Sequence, residues 1–412
     1  MPHLTPARVT SFYLHVPFCA QKCAYCAFYS EPASGELVNR YVAALVRELE
    51  IVAGDLAPQT IFFGGGTPSL LTLRQWEQIL DAMERLDLLG AEEFTVECNP
   101  ATVSPDKAKL LRAFGVNRIS MGVQSLDEAL LDRLGRIHSR EMVFKSFDIL
   151  RRAGFDNLNL DLMFAIPGQT LKIWRATLAG VLALGSEHLS SYEIIYEDDT
   201  PLFAQLQAGE FDLDEDLACA MYEEFVSQAT AAGFRQYEVA NFARDGRIAD
   251  CRLPIADLNL EERTPTRTPD ARPQNPIPNF ACRHNVNYWR GGAFYGLGPS
   301  ATSYVRGVRT KNWSNTLLYC EQLEKGVRAI ESREELPPLK RAGETAAFGL
   351  RMVAGWPFAE FQRVTSFDLR REWPTEMNRL AECGWGKILP DRFRLTPQGL
   401  RFADAAAELF LR

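Results

Sequence analysis

The sequence predicts an α/β protein: a partial parallel (β/α)6 barrel followed by a mainly helical module that carries a small winged element. Three observations carry this prediction. Six apolar, strand-length runs alternate with amphipathic helical stretches between residue 10 and about residue 200, the pattern of a parallel sheet with crossover helices. Polar and glycine-rich residues gather at or just after those runs, where a barrel collects its ligands. The tail, 335–412, reads as helices followed by a strand-like Arg392-Phe393-Arg394-Leu395 and a turn, Thr396-Pro397-Gln398-Gly399.

The strand-like runs are 11–17, 60–64, 94–98, 117–123, 157–164 and 188–195. Helical patterns fall between them at 36–53, 72–88, 104–114, 140–153 and 170–184. Thr72, Ser104 and Thr170 stand where N-caps are wanted. Residues 205–243 continue as an acidic, helical pattern. Between 244 and 281 the character changes: six prolines fall between 254 and 278, and no aromatic appears until Phe280, which reads as a long flexible insertion unable to bury a core. An aromatic, glycine-rich block follows at 282–304. The expected division is a barrel core, 1–205, a barrel extension with the insertion, 206–334, and a helical and winged domain, 335–412.

Composition narrows the function. With 412 residues, 46% apolar and 24% charged, the chain is long enough for a large barrel plus a smaller domain. A net charge of −8 argues against nucleic-acid binding by bulk charge, so no nucleic-acid partner is expected. No apolar stretch is long enough to span a bilayer, and residues 1–10 lack a signal core. Nine cysteines, three of them needed as thiolates, fit a reducing cytoplasm.

Those three are the most informative residues. Cys19, Cys23 and Cys26 share one loop directly after the first run. Three thiolates on a short loop can hold three irons of a cubane iron–sulfur cluster and leave the fourth iron open to a small molecule. A zinc site wants four ligands, usually as two pairs, and the other six cysteines are scattered.

The later strand ends aim at the same rim. Gly64-Gly65-Gly66-Thr67-Pro68 follows the second run, and its missing side chains allow close backbone approach to a ligand. Glu97 ends the third run, Gln124 follows the fourth, and Asp161 lies in the fifth. Carboxylates can accept paired hydrogen bonds from hydroxyls or an ammonium group, and Arg136 can grip a carboxylate with two prongs.

The cysteine spacing, with Tyr25 just before the third cysteine, resembles the radical S-adenosylmethionine (radical SAM) superfamily. More closely, Tyr13-Leu14-His15-Val16-Pro17-Phe18-Cys19, the triple-glycine loop, Glu97, Gln124, Leu134-Gly135-Arg136-Ile137-His138 and Asn159-Leu160-Asp161-Leu162-Met163 resemble oxygen-independent coproporphyrinogen III oxidase and its relatives. The likeness spans most of 10–243 and resumes at 282–315. It implies a TIM-like radical SAM barrel, a 4Fe–4S cluster on Cys19, Cys23 and Cys26, and S-adenosylmethionine held by Tyr13, Tyr25, Gly65, Gly66, Thr67, Glu97, Gln124, Arg136, Asp161 and Ile195.

Two branches of that group differ here. The oxidase carries a fourth cysteine two residues after the third, where this chain has Phe28, and a long arm before the first strand, where this chain has about ten residues. Both departures, with His284-Asn285-Val286-Asn287-Tyr288-Trp289, resemble the HemW-type heme chaperones. That resemblance implies heme as a cofactor, acceptor hemoproteins such as respiratory ones, and an external electron donor. His284 is then a candidate axial ligand, Cys282 an alternative thiolate, and Tyr288 and Trp289 candidate porphyrin contacts. Alternatively, the block closes the barrel mouth and His284 makes a structural hydrogen bond. Oxidative decarboxylation of coproporphyrinogen III, or another radical SAM reaction, also stays open, since fold alone does not fix a substrate.

Overall fold

The computed structural model describes residues 7–246 and 277–411. Of the proline-rich insertion expected at 244–281, residues 247–276 lie outside the described residues.

The six expected strands all form: β1 (Val9–Val16), β2 (Leu56–Gly65), β3 (Glu93–Cys98), β4 (Arg118–Gln124), β5 (Leu158–Phe164) and β6 (His188–Glu193). Each pairs in parallel with the next. Three short strands extend the sheet: β7 (Arg235–Gln236), β8 (Asn241–Ala243) and β9 (Tyr295–Leu297), giving the order β9-β1-β2-β3-β4-β5-β6-β8-β7. β9 runs parallel to β1, and β8 runs antiparallel to both β6 and β7. The helical pattern expected over 205–243 therefore stops early. Helices Pro201–Gln207 and Glu215–Ala231 give way to β7 and β8, which are too short to show periodicity and exist because an open sheet edge needs a partner.

The helices between the strands begin where the caps predicted. Thr72 accepts from the Gln75 amide in a capping box, Ser104 accepts from Lys107 N, and Thr170 accepts from Ile173 N. Strand side chains alternate, as a pleat requires. Phe12, Leu14 and Val16, then Ile61 and Phe63, Phe94 and Val96, Ile119 and Met121, and Leu158 and Leu160 join the main hydrophobic core with the helices. The intervening residues, Tyr13, His15, Phe62, Glu97, Arg118, Ser120, Asn159 and Asp161, line a cavity inside the barrel.

Beyond the barrel, a three-stranded antiparallel sheet is built from Thr302–Val305, Val308–Asn312 and Ile330–Glu335. The tail folds around its own hydrophobic cluster, centred on Trp356, Phe361, Trp373, Phe393 and Phe410. Helices Pro338–Gly349, Phe358–Thr365 and Pro374–Glu382 pack there against a small sheet. Its hairpin, Gly386–Ile388 and Arg392–Leu395, is the winged element.

Candidate functional site

The cysteine loop leaves the C-terminal end of β1 and is fastened to the barrel at several points. Phe18–Cys19 pairs in parallel with Glu31–Pro32, closing the loop at its base. Gly66 N donates to Val16 O and Thr67 N to Phe18 O, each at 2.8 Å. The triple-glycine turn thus spends two amides on the start of the cysteine loop. A methyl group on Gly66 would sit 2.7 Å from Phe18 O, so glycine is what permits this approach. Farther along, Ala24 N donates to Leu134 O at 3.0 Å, and Ala24 O accepts from Leu202 N at 2.9 Å.

All three cysteine side chains are partly exposed and free. Thr67 Oγ1 donates to Cys19 Sγ at 3.6 Å, and Arg136 Nη1 donates to Cys23 Sγ at 3.5 Å. Among the described residues no group of three His, Cys, Asp or Glu side chains is gathered to hold a single metal ion. A cubane needs no such gathering, because each thiolate takes a different iron.

Below the loop lies a cavity of about 460 Å³, within the size range of small-molecule sites. Tyr13, Gly65, Glu97 and Asp161 line it, together with His15, Phe28 and Tyr29 from the loop side. Glu97 Oε2 accepts from Gly65 N at 3.2 Å. Burial, reinforced by the neighbouring Asp161 carboxylate, pushes the Glu97 carboxyl up to about 8. Asp161 accepts from Ser120 Oγ at 3.0 Å and Asn159 Nδ2 at 2.8 Å, and burial raises its carboxyl despite those bonds.

Gln124 and Arg136 occupy the rim. A register shift between Gly122 and Gln124 bulges the end of β4, and Gln124 takes φ 63°. Arg136 Nη2 donates to Gly122 O at 2.7 Å, so this guanidinium clamps the bulge with one prong and the Cys23 sulfur with the other. Tyr25 packs beside them among Leu130, Leu134, Met163, Ile194 and Leu202. Ile195 lies past the end of β6, is 66% exposed and stands outside the cavity lining.

The aromatic block sits at the opposite end of the barrel from the cysteine loop. Helix Arg283–Trp289 begins at Glu93, the first residue of β3, whose carboxylate accepts from Arg283 N at 2.9 Å and His284 N at 3.0 Å. His284 is buried against Phe62, with ring centroids 5.2 Å apart. Both its nitrogens are engaged, Nδ1 with Thr60 Oγ1 at 2.9 Å and Nε2 with the Tyr288 hydroxyl at 2.7 Å. Burial depresses the imidazole to about 3. The block therefore plugs the N-terminal end of the barrel rather than closing its mouth, and His284 and Tyr288 form part of the cavity floor. Cys282 is buried beside Glu93, which pushes its thiol, already raised by burial, up to about 12. Trp289 faces away toward the tail, under the Arg351 guanidinium at 5.0 Å.

His15 ties the barrel wall to the cysteine loop, and sequence reading missed the polar floor below it. His15 Nε2 donates to Tyr29 O at 2.8 Å, and because that nitrogen holds the proton of the neutral ring, Nδ1 accepts from Tyr13 OH at 3.0 Å. Arg118, Ser120, Asn159 and Ser190 also face the cavity. Their signal was available: each stands two residues from another inward-facing position on its strand.

A parallel barrel with a three-cysteine loop at its C-terminal rim defines a radical SAM protein, and the Radical SAM superfamily model matches residues 13–179. The HemN C-terminal domain model matches 336–402. The chain is 32% identical to heme chaperone HemW of Bacillus subtilis, over 97% of this chain and 99% of the relative. It is 31% identical to heme chaperone HemW of Escherichia coli, over 97% and 98%. With the mouse mitochondrial radical S-adenosyl methionine domain-containing protein 1 it shares 33% identity, over 86% of this chain and 75% of that one. This chain belongs to the HemW-type heme chaperone family within the radical SAM superfamily. The fold is also that of the solved Escherichia coli coproporphyrinogen III oxidase (HemN), with a TM-score of 0.79 over 99% of this chain and 91% of that chain at 20% identity.

Proposed function

We propose that this chain is a heme chaperone: it holds a 4Fe–4S cluster through Cys19, Cys23 and Cys26, binds S-adenosylmethionine in the barrel, and binds heme for delivery to an acceptor hemoprotein. The observation that carries the reading is three free thiols on one tethered loop directly over a cavity of about 460 Å³. The donor set suits a cubane: three cysteines, none in a disulfide, and two of the sulfurs accepting hydrogen bonds from Thr67 and Arg136, which stabilise negative sulfur. Bound there, the cluster would supply electron transfer and one open iron.

S-Adenosylmethionine would occupy the upper cavity. Tyr13, Gly65, Glu97 and Asp161 line that space, and Tyr25, Gly66, Thr67, Gln124 and Arg136 surround the cysteine loop above it. Ile195, exposed as it is, would reach the ligand only from the rim. Heme contact by His284 requires giving up its bond to Thr60 or Tyr288, and Cys282 and Trp289 would need the plug to move. Among the described residues no helix is long and apolar enough to cross a membrane. The reading places the protein in the cytoplasm, served by an external electron donor, with residues 1–205, 206–334 and 335–412 as its functional divisions.

The test is anaerobic reconstitution with iron and sulfide, then titration with heme while the visible spectrum is recorded. Stoichiometric heme binding, with a cluster that Cys19→Ala abolishes, is the expected result. A cluster without heme binding would overturn the chaperone reading, and vinyl products from added coproporphyrinogen and reductant would replace it with the oxidase.

A further inference from the structure

The cavity floor holds a buried cation that nothing among the described residues neutralises directly. Arg118 opens β4, is 2% exposed and lines the cavity. Among the described residues its Nε has no hydrogen-bond partner, and no carboxylate forms an ion pair with it. Glu93, Cys282, Tyr237 and Asp161 are near enough to act on it through space. Each is engaged elsewhere. Glu93 caps the Arg283–Trp289 helix, Cys282 packs on Glu93, the Tyr237 hydroxyl bonds His188 Nε2 at 2.8 Å and Cys282 N at 3.1 Å, and Asp161 is held by Ser120 and Asn159. Other deeply set arginines are tied down: Arg136 to Gly122 O and Cys23, Arg244 Nε to Ser186 O at 3.0 Å. A buried, unpaired charge is expensive, and a site that keeps one is organised for a counter-charge from outside.

We propose that Arg118 is the anchor of an anion subsite on the cavity floor that takes the carboxylate of a ligand entering from the rim. A guanidinium binds a carboxylate through two parallel bonds. A dianionic phosphate fits worse, because the Asp161 carboxylate lines the same cavity and would repel the second charge. With Glu97 raised to about 8 and so protonated at neutral pH, that group adds no repulsion toward a bound carboxylate. Depth separates this subsite from the cluster. Arg118 begins and Gln124 ends a strand of seven residues, so the floor lies roughly 20 Å below the rim. A carboxylate at Arg118 is thus not one that reaches the cysteine loop. It belongs to a porphyrin propionate, and in that it rests on the proposed function.

Heme against its dimethyl ester tests the subsite on the full, cluster-reconstituted chain, with S-adenosylmethionine against its decarboxylated analogue as the pair whose carboxylate belongs to the upper cavity. Wild type should prefer heme to its diester by about 10- to 100-fold. Arg118→Gln should erase that preference while leaving affinity for the diester unchanged, and Arg118→Lys should restore part of it. The S-adenosylmethionine preference should be the same in wild type and Arg118→Gln. Because the readout is a ratio within one protein, loss of stability cannot imitate it. Sodium propionate reads the subsite without either cofactor, as a rise in melting temperature of wild type that Arg118→Gln lacks. Failure of heme to bind at all counts against the chaperone reading alone, since propionate still reports on Arg118. Equal binding of heme and its diester to wild type, or that preference retained in Arg118→Gln, overturns the subsite and leaves Arg118 solvated by cavity water.

Discussion

His15 Nε2 donates to the carbonyl oxygen of Tyr29 at 2.8 Å, joining the inner wall of β1 to the far side of the cysteine loop. Burial lowers the imidazole's affinity for a second proton, which keeps the ring neutral and its Nδ1 free to accept from Tyr13. The ring thus fixes a cavity wall and the loop at once. His15→Leu keeps the bulk and removes both bonds, at a cost of about 1–3 kcal/mol for the partners left bare. Reconstituted His15→Leu should begin with the wild-type iron content and lose it several-fold faster to a chelator. An unchanged rate of loss would mean that the loop's backbone pairing alone holds it.

Gly65 makes the complementary prediction from the neighbouring strand. It takes φ 102°, and a methyl group there would collide with the His15 imidazole. Backbone strain and overpacking therefore act together in Gly65→Ala, each worth about 1 kcal/mol or more. The variant should melt several degrees below wild type and hold substoichiometric cluster. Gly168→Ala is the control, since it shares a positive φ of 83° but has open space around its added methyl. It should lose stability without losing iron.

How far the site could be read from the sequence follows from what each residue does locally. The first five barrel strands were legible because their outward faces carry Leu, Ile, Val, Phe and Met at every second position, while β6 contributes only Leu189 to the core. Cys19, Cys23, Cys26 and the glycine turn were legible because they break composition sharply within a few residues. Apart from Asp161, the polar floor was not read, although Arg118-Ile119-Ser120-Met121 and Asn159-Leu160-Asp161 alternate as clearly as any strand. A polar residue in a strand is usually solvent-facing, and only closure of the sheet turns that face inward. The position of the aromatic block was beyond local reading, since its attachment joins Glu93 to Arg283 and His284 across a separation of about 190 residues.

Glu97 links the cavity to pH. Its carboxyl is raised from 4.5 to about 8 by burial first and by Asp161 second. Between those two values the folded protein retains a proton that the unfolded chain has released, so this group's contribution is fully present below pH 4.5 and is lost as pH rises through 8. Glu97→Gln keeps an acceptor for Gly65 N and removes the titration. In the cluster-free protein, its melting temperature should overtake that of wild type by a few degrees at pH 8.5, with the gap closing toward pH 5. A gap independent of pH would show that Glu97 does not titrate in this window.

Glu93 offers a separate handle on the plug at the other end of the barrel. Its two carboxylate oxygens receive the Arg283 and His284 amides, and the Cys282 thiol lies 3.6 Å from one of them. Glu93→Gln retains one acceptor and sets an amide NH2 against the second donor, so one helix-start amide is left bare at a cost of about 1–3 kcal/mol. The Arg283–Trp289 helix should then open more often than the barrel unfolds. Hydrogen exchange should quicken over 283–289, and alkylation of Cys282, read by mass spectrometry of its own peptide, should rise at least several-fold while the cluster on Cys19, Cys23 and Cys26 keeps its iron. Heme affinity measured alongside is informative in either direction. Tighter or faster heme binding in Glu93→Gln would mean that His284 or Cys282 reaches heme only when the plug opens. Faster alkylation with unchanged heme binding would place heme in the upper cavity and leave the block as a structural closure. Unchanged alkylation would show that Thr60 and Tyr288, through His284, hold the helix without Glu93.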